Sequence, residues 1–182
     1  KRSVVAFECL VRSSEPTLAH PGALLDAAEE LDRLFDLGRR IREECTQPYR
    51  ETADAGTLFV NLHSRDLLDE ALYDPNGPLA WMASRVVLEI TERASLDGVD
   101  GIQARIARLR GLGYRIAIDD IGAGYSGLNS FVALRPDFVK LDMSLGRGID
   151  RDVLKQGLVR MFVELCGGLG IGVVAEGVET AA

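Results

Sequence analysis

The chain has 182 residues, of which 47% are hydrophobic and 27% charged, with a formal net charge of −7. That balance fits a folded globular domain rather than a disordered segment. No apolar run approaches the roughly 20 residues of a membrane-spanning helix, and no basic cluster of the kind that grips nucleic-acid phosphates is present, so DNA is not an expected partner.

Taken in chain order, the first apolar run, Val4-Val5-Ala6-Phe7, reads as a buried strand that ends on Glu8. Ser13-Ser14-Glu15-Pro16 is a loop, and His20 is expected to be a loop residue. Pro21 opens a helix at its favoured first position. Leu24, Leu25, Ala28, Leu31, Leu34, Phe35, Gly38 and Ile41 recur at helical spacing, predicting one amphipathic helix through to about Cys45. Thr57-Leu58-Phe59-Val60 is a second strand running into Asn61, with Ser64 as the expected cap of a following helix. Asp74-Pro75-Asn76-Gly77-Pro78 is a turn, followed by a short helix containing Trp81 and a third strand, Val86-Val87-Leu88, into Glu89.

Gly98 to Gly111 is a further amphipathic helix with Ile102, Ile106 and Leu109 inward, ended by Gly111 or Gly113. Arg115-Ile116-Ala117-Ile118 is a fourth strand into Asp119 and Asp120, followed by a loop from Ile121 to Gly127 and a short helix to about Leu134. Pro136 precedes a fifth strand, Phe138-Val139, into Lys140 with Asp142 beyond. Asp152 to about Leu169 is a helix with Leu154, Leu158, Met161, Phe162 and Leu165 on its apolar side, and Gly172-Val173-Val174-Ala175 is a sixth strand into Glu176.

Six strands alternating with helices predict parallel strands with right-handed crossovers. Each strand ends on a residue that can hold a metal or move a proton, which is the layout of a barrel with its site at one face. A lone strand-end carboxylate is ordinarily a solvated cap or a salt-bridge partner; the recurrence in one register argues for a shared pocket. A complete eight-stranded barrel takes about 250 residues, so this chain is expected to be incomplete. Adjacent carboxylates are costly unless neutralised, and divalent cations do that well. Cys9, Cys45 and Cys166 lie far apart with no CxxC pair, which removes zinc-ribbon and thioredoxin readings and fits free thiols in a reducing cytoplasm. His63 is expected to be a hydrogen-bonding structural group, and Trp81 and the methionines to lie in the core.

The ordered motifs Glu8-Cys9-Leu10, Val60-Asn61-Leu62, Leu88-Glu89-Ile90-Thr91-Glu92, Asp119-Asp120-Ile121-Gly122-Ala123-Gly124-Tyr125-Ser126, Lys140-Leu141-Asp142 and Val174-Ala175-Glu176-Gly177-Val178-Glu179-Thr180 resemble the EAL domain family of cyclic di-GMP phosphodiesterases. The resemblance covers essentially the whole chain. It implies an α/β fold, a TIM-barrel-like (β/α)8 of the EAL type, incomplete here. Residues 1–182 would form a single domain lacking its last strand–helix unit and, at the other end, most of the strand before the first. It implies metal-dependent hydrolysis of cyclic di-GMP to the linear dinucleotide pGpG in bacterial signalling.

Under that resemblance Glu8, Asn61, Glu89 and Asp119 hold a first Mg2+ or Mn2+, hard ions suited to oxygen donors. Asp119 bridges to a second ion, and Asp120 is a ligand of that second ion. Lys140 stabilises negative charge, and Glu176 is a general base or else a second-metal ligand. Arg12 and Glu8 meet substrate. Asp142 and Glu179 complete the acidic wall, and Glu92 anchors the glycine-containing loop after the double aspartate. That loop is not a P-loop, since GxxxxGK[ST] is absent, and its glycines alternatively only turn the chain. The resemblance further implies a homodimer and fused sensory or GGDEF-type domains. Departures are Cys9 for the usual Ala, Ile121 for Phe and Ala123 for Thr. Two alternatives stay open: an inactive EAL-type receptor that binds cyclic di-GMP without cleaving it, and an unrelated metal-dependent barrel such as an enolising lyase.

Overall fold

A computed structural model describes residues 4–50, 56–91, 96, 99–123 and 127–178. Six strands form one parallel sheet in the order β1 (Ala6–Cys9), β2 (Thr57–Leu62), β3 (Val86–Thr91), β4 (Arg115–Ile121), β5 (Phe138–Leu141) and β6 (Gly172–Ala175). Every neighbouring pair is parallel and consecutive. The strands are short and rich in Val and Ile, whose branched side chains pack well on a pleated surface.

Side chains alternate across each strand, and the two faces have different chemistry. Val60, Leu62, Leu88, Ile90, Ile116, Ile118, Val139 and Leu141 point outward into the main core beneath the helices. Burying one such side chain fully is worth about 1.5–3 kcal/mol. Phe59, Val87 and Ala117 point inward, with Ala6 and Phe138 packed against them. The Phe59 and Phe138 rings meet edge to face at 5.7 Å although they lie on β2 and β5. Residues of β1, β2, β5 and β6 also line one cavity of about 470 Å3. A flat sheet could not bring these strands together, so the sheet is curled into part of a barrel.

The helices are α1 (Pro21–Glu30), α2 (Leu34–Glu44), α3 (Gln47–Arg50), α4 (Ile102–Gly111), α5 (Gly127–Leu134), α6 (Met143–Gly146) and α7 (Val153–Leu169), with short 3-10 turns between β2 and β3. The single helix expected from Pro21 to Cys45 is two. Asp32 adopts a left-handed conformation (φ 54°), and the Arg33 N–H closes back on the Ala28 carbonyl at 2.7 Å. This is a Schellman-type stop with Asp where Gly is usual, so the sequence carries no glycine to announce it. His20 is more than a loop residue: its Nδ1 accepts from the Gly22 N–H at 3.0 Å and caps α1.

The turn after β2 is capped by His63 rather than Ser64; His63 Nδ1 accepts from Arg65 N at 3.2 Å. Ile121 belongs to β4, not to the loop. On α7 the contact with the core is made by Val159, Phe162 and Cys166, while Leu154 is 72% exposed and Met161 53%. β6 pairs on one side only in the described sheet, so α7 meets the sheet along a narrow stripe. Trp81 is 54% exposed, and Met143 and Met161 are exposed too; of the three methionines only Met82 is core. Cys9, Cys45 and Cys166 are free, as expected. Among the described residues no helix is long and apolar enough to cross a membrane.

Candidate functional site: an acidic cluster around one lysine

Directly above the inward apolar layer, the next inward positions are Glu8 on β1, Asn61 on β2, Glu89 on β3, Asp119 on β4, Lys140 on β5 and, just past β6, Glu176. Strand register sets their heights: Asn61 is paired with Glu89, and Asp119 with Thr91. The six residues come from six chain segments and converge because the sheet curls.

Lys140 is the hub. Its Nζ lies 2.8 Å from Glu176 Oε1, 2.9 Å from Glu89 Oε1, 3.2 Å from Asp119 Oδ1 and 3.3 Å from Glu8 Oε1. Burial alone would lower the Lys140 pKa, but Glu89, Glu176 and Asp119 outweigh it and hold the ammonium above its ordinary value. Glu89 has no exposed surface, and burial pushes its carboxyl up to about 8 against the pull of Lys140. Asn61 Nδ2 donates to Glu8 Oε1 at 3.3 Å; a half-turn of the amide would present its oxygen to the cluster instead.

Asp119 and Asp120 are adjacent, and in a regular strand they would point to opposite faces. The β4–β5 register slips between Ile118 and Ile121, and Asp120 has φ 60°. This bulge re-aims the strand end. Carboxylate oxygens of Asp119, Asp120 and Glu176 then lie within 4.8 Å of one another, as do those of Glu8, Glu89 and Asp119. The two groups share Asp119.

The donor set fits divalent cations. Glu89 Oε1 and Asp119 Oδ1 are buried with the Lys140 ammonium beside them, and Glu89 Oε2 is buried with no hydrogen-bond partner, which leaves hard oxygen lone pairs facing the cluster.

Arg12 is exposed and lines a cavity of about 310 Å3 together with Glu8, Asn61 and Asp119. Asp142 caps α6, accepting from Ser144 N at 2.9 Å, and shares a cavity of about 430 Å3 with Glu176. Among the described residues, neither carboxylate group includes Asp142. Glu92, Glu179 and loop residues 124–126 lie outside the described residues. His63 has the structural role expected of it, as a cap. The sequence reading missed Arg42 and Asp66, a buried ion pair (3.1 Å) behind Asn61. One signal was available, an arginine on the inward stripe of α2; the capping-box spacing of Asp66 emerges only once His63 rather than Ser64 is seen to be the cap.

A parallel α/β barrel wall whose strand ends gather carboxylates around one lysine defines a barrel protein with an acidic mouth at its strand-end face. The family model described as EAL domain matches residues 1–182, and the chain belongs to that family. It is 30% identical over 187 residues to the cyclic di-GMP phosphodiesterase PdeR of Escherichia coli, an alignment covering 98% of this chain and 28% of PdeR. The structure of Klebsiella pneumoniae BlrP1 with manganese and cy-diGMP matches with a TM-score of 0.83 and 33% identity, over 98% of this chain and 46% of that one. The PaMucR phosphodiesterase complex with c-di-GMP matches with a TM-score of 0.82 and 28% identity, over 97% and 79%. The chain thus spans under a third of PdeR and less than half of BlrP1.

Proposed function

We propose that this chain carries the catalytic site of a metal-dependent phosphodiesterase that opens cyclic di-GMP to pGpG. The observation that carries the proposal is the pair of carboxylate groups sharing Asp119 around Lys140. Glu8, Asn61, Glu89 and Asp119 would hold one Mg2+ or Mn2+, and Asp119, Asp120 and Glu176 a second. Glu176 belongs to the second group of oxygens, which favours it as a ligand over a free-standing base. The chemistry supplied by such ions when bound is Lewis acidity toward a phosphoryl oxygen and acidification of a water.

The chain's own groups do the rest. Lys140, less than a tenth exposed, places a positive charge where phosphoryl oxygens gather negative charge. Arg12, at the open rim, offers a planar fork to the second phosphate of the ring. Phe59, Val87 and Ala117 form an apolar layer beneath the acidic cluster.

The test is product analysis. Purified full-length protein, with cyclic di-GMP and Mn2+ or Mg2+, is expected to yield pGpG on chromatography, and chelator is expected to stop it. Glu8→Ala and Asp119→Asn are expected to abolish turnover while the protein stays folded. Tight calorimetric binding of cyclic di-GMP with no product under any metal would instead make the protein a receptor.

A further inference from the structure

Behind Asn61 lies a charge network that the proposed chemistry does not use. Arg42, on α2, is 4% exposed. Its Nη1 donates to Asp66 Oδ1 at 3.1 Å and its Nη2 to Asp69 Oδ2 at 2.9 Å. Asp66 Oδ2 in turn accepts the His63 backbone N–H at 3.1 Å, and Asp69 Oδ1 accepts that of Ala71 at 3.0 Å. Arg39 adds a fork to Asp69 at 3.0 and 2.7 Å. Of the short turns after β2, the first has its His63 cap held by Asp66 and the second starts on Asp69, both carboxylates gripped from α2.

The approach is close enough to require a glycine: a Cβ on Gly38 would stand 2.2 Å from Asp66 Oδ1. Buried ion pairs contribute little net stability, because desolvation offsets their attraction. What this one does is fix a backbone. His63 is two residues beyond Asn61, and Asp66 lines the same 310 Å3 cavity as Glu8, Asn61 and Asp119.

We propose that Asp66, held by Arg42, is a positioning residue for Asn61: it pins the backbone just past β2 and so aims the Asn61 amide into the acidic cluster. Partners behind a metal ligand of this kind typically change affinity about 10–100-fold when altered. The proposal rests on Asn61 being a metal ligand, as assigned above.

The experiment is Mn2+ binding to metal-freed full-length protein, read as loss of the free-ion signal in electron paramagnetic resonance, with circular dichroism melting in EDTA alongside. Asp66→Asn keeps the shape but turns an amide toward Arg42. It is expected to weaken Mn2+ binding about tenfold, and to add nothing in an Asn61→Ala background, where the aimed ligand is gone. A folded Asp66→Asn protein with the parent's Kd overturns the proposal, and so does an equal loss with and without Asn61. If Asp66→Asn does not fold, Arg42→Lys, which keeps the charge and loses the fork, is read in the same way. Failure of both to fold assigns the network to stability alone and overturns the proposal. Absence of Mn2+ binding by the parent, or parent-like binding by Asn61→Ala, removes the metal-ligand assignment itself and the proposal with it. Parent binding with a loss in Asn61→Ala but none in Asp66→Asn overturns the positioning role only.

Discussion

Lys140 Nζ lies 2.8 Å from Glu176 Oε1, so the ammonium on β5 is tied to the carboxylate that follows β6. The same nitrogen reaches Glu8 on β1 at 3.3 Å, spanning the mouth from one end of the strand order to the other. One ammonium thus faces the carboxylates of Glu8, Glu89, Asp119 and Glu176. It is their common counterion here; the divalent cations proposed above would take over that task and free Lys140 for substrate.

Lys140→Met should therefore have two separable effects. Removing one partner of a buried charge cluster costs up to about 3–5 kcal/mol, so melting in EDTA is expected to drop markedly. Mn2+ should repair most of that deficit by neutralising the carboxylates, while phosphodiesterase turnover stays about 100- to 1,000-fold down. An identical melting deficit in EDTA and in saturating Mn2+ would show that Lys140 is not exchanged for metal.

The pH dependence of the metal-free protein follows from Glu89. Its carboxyl is raised from 4.5 to about 8 by burial, so the fold favours the protonated form. The associated stability is complete below about 4.5 and drains away as pH rises toward about 8, by at most on the order of 5 kcal/mol. Urea unfolding in EDTA at pH 5, 6.5 and 8 should show this decline in the parent and a flatter profile in Glu89→Gln, which cannot ionise. Parallel profiles for the two proteins would assign the slope to other groups.

Core and surface should separate cleanly on substitution. Leu88 is fully buried and Trp81 is 54% exposed. Leu88→Ala is expected to cost about 2–5 kcal/mol, and Trp81→Ala under about 1 kcal/mol despite the larger side chain. Denaturant titrations of the two variants check the ranking, and a Trp81→Ala cost equal to that of Leu88→Ala would contradict the exposed placement.

The strands and the mouth of the site were legible because both depend on local patterns: branched apolar runs, each closed by a polar residue that the curl carries to one rim. Glu8, Asn61, Glu89, Asp119, Lys140 and Glu176 could be picked out on that basis. The helix break at Asp32 was not legible, because it hangs on one aspartate accepting a left-handed conformation. The apolar side of α7 was misjudged at Leu154, Leu158, Met161 and Leu165, since periodicity shows that a face is apolar but not how much sheet there is to cover it. Arg42 and Asp66 were missed because charged residues on an amphipathic helix and in a turn are ordinarily solvated; only the packed structure shows them 4% exposed and joined.

Asp120 shows how a conformational requirement and a chemical one fall on a single residue. Its φ of 60° is uncommon for a residue other than Gly but best tolerated by Asn and Asp, and it accompanies the bulge that turns Asp119 and Asp120 toward the same group of carboxylates. Asp120→Asn should keep the backbone and melt within a few degrees of the parent, yet lose the anionic oxygen and most of the turnover. Asp120→Val should lose turnover as well and be destabilised by a further roughly 1–2 kcal/mol, because a branched side chain is strained in that conformation. Melting curves in EDTA isolate the backbone effect from metal binding. Were Val and Asn to melt alike there, the strand end would not be held in the left-handed conformation, and the convergence of the two aspartates would need another cause.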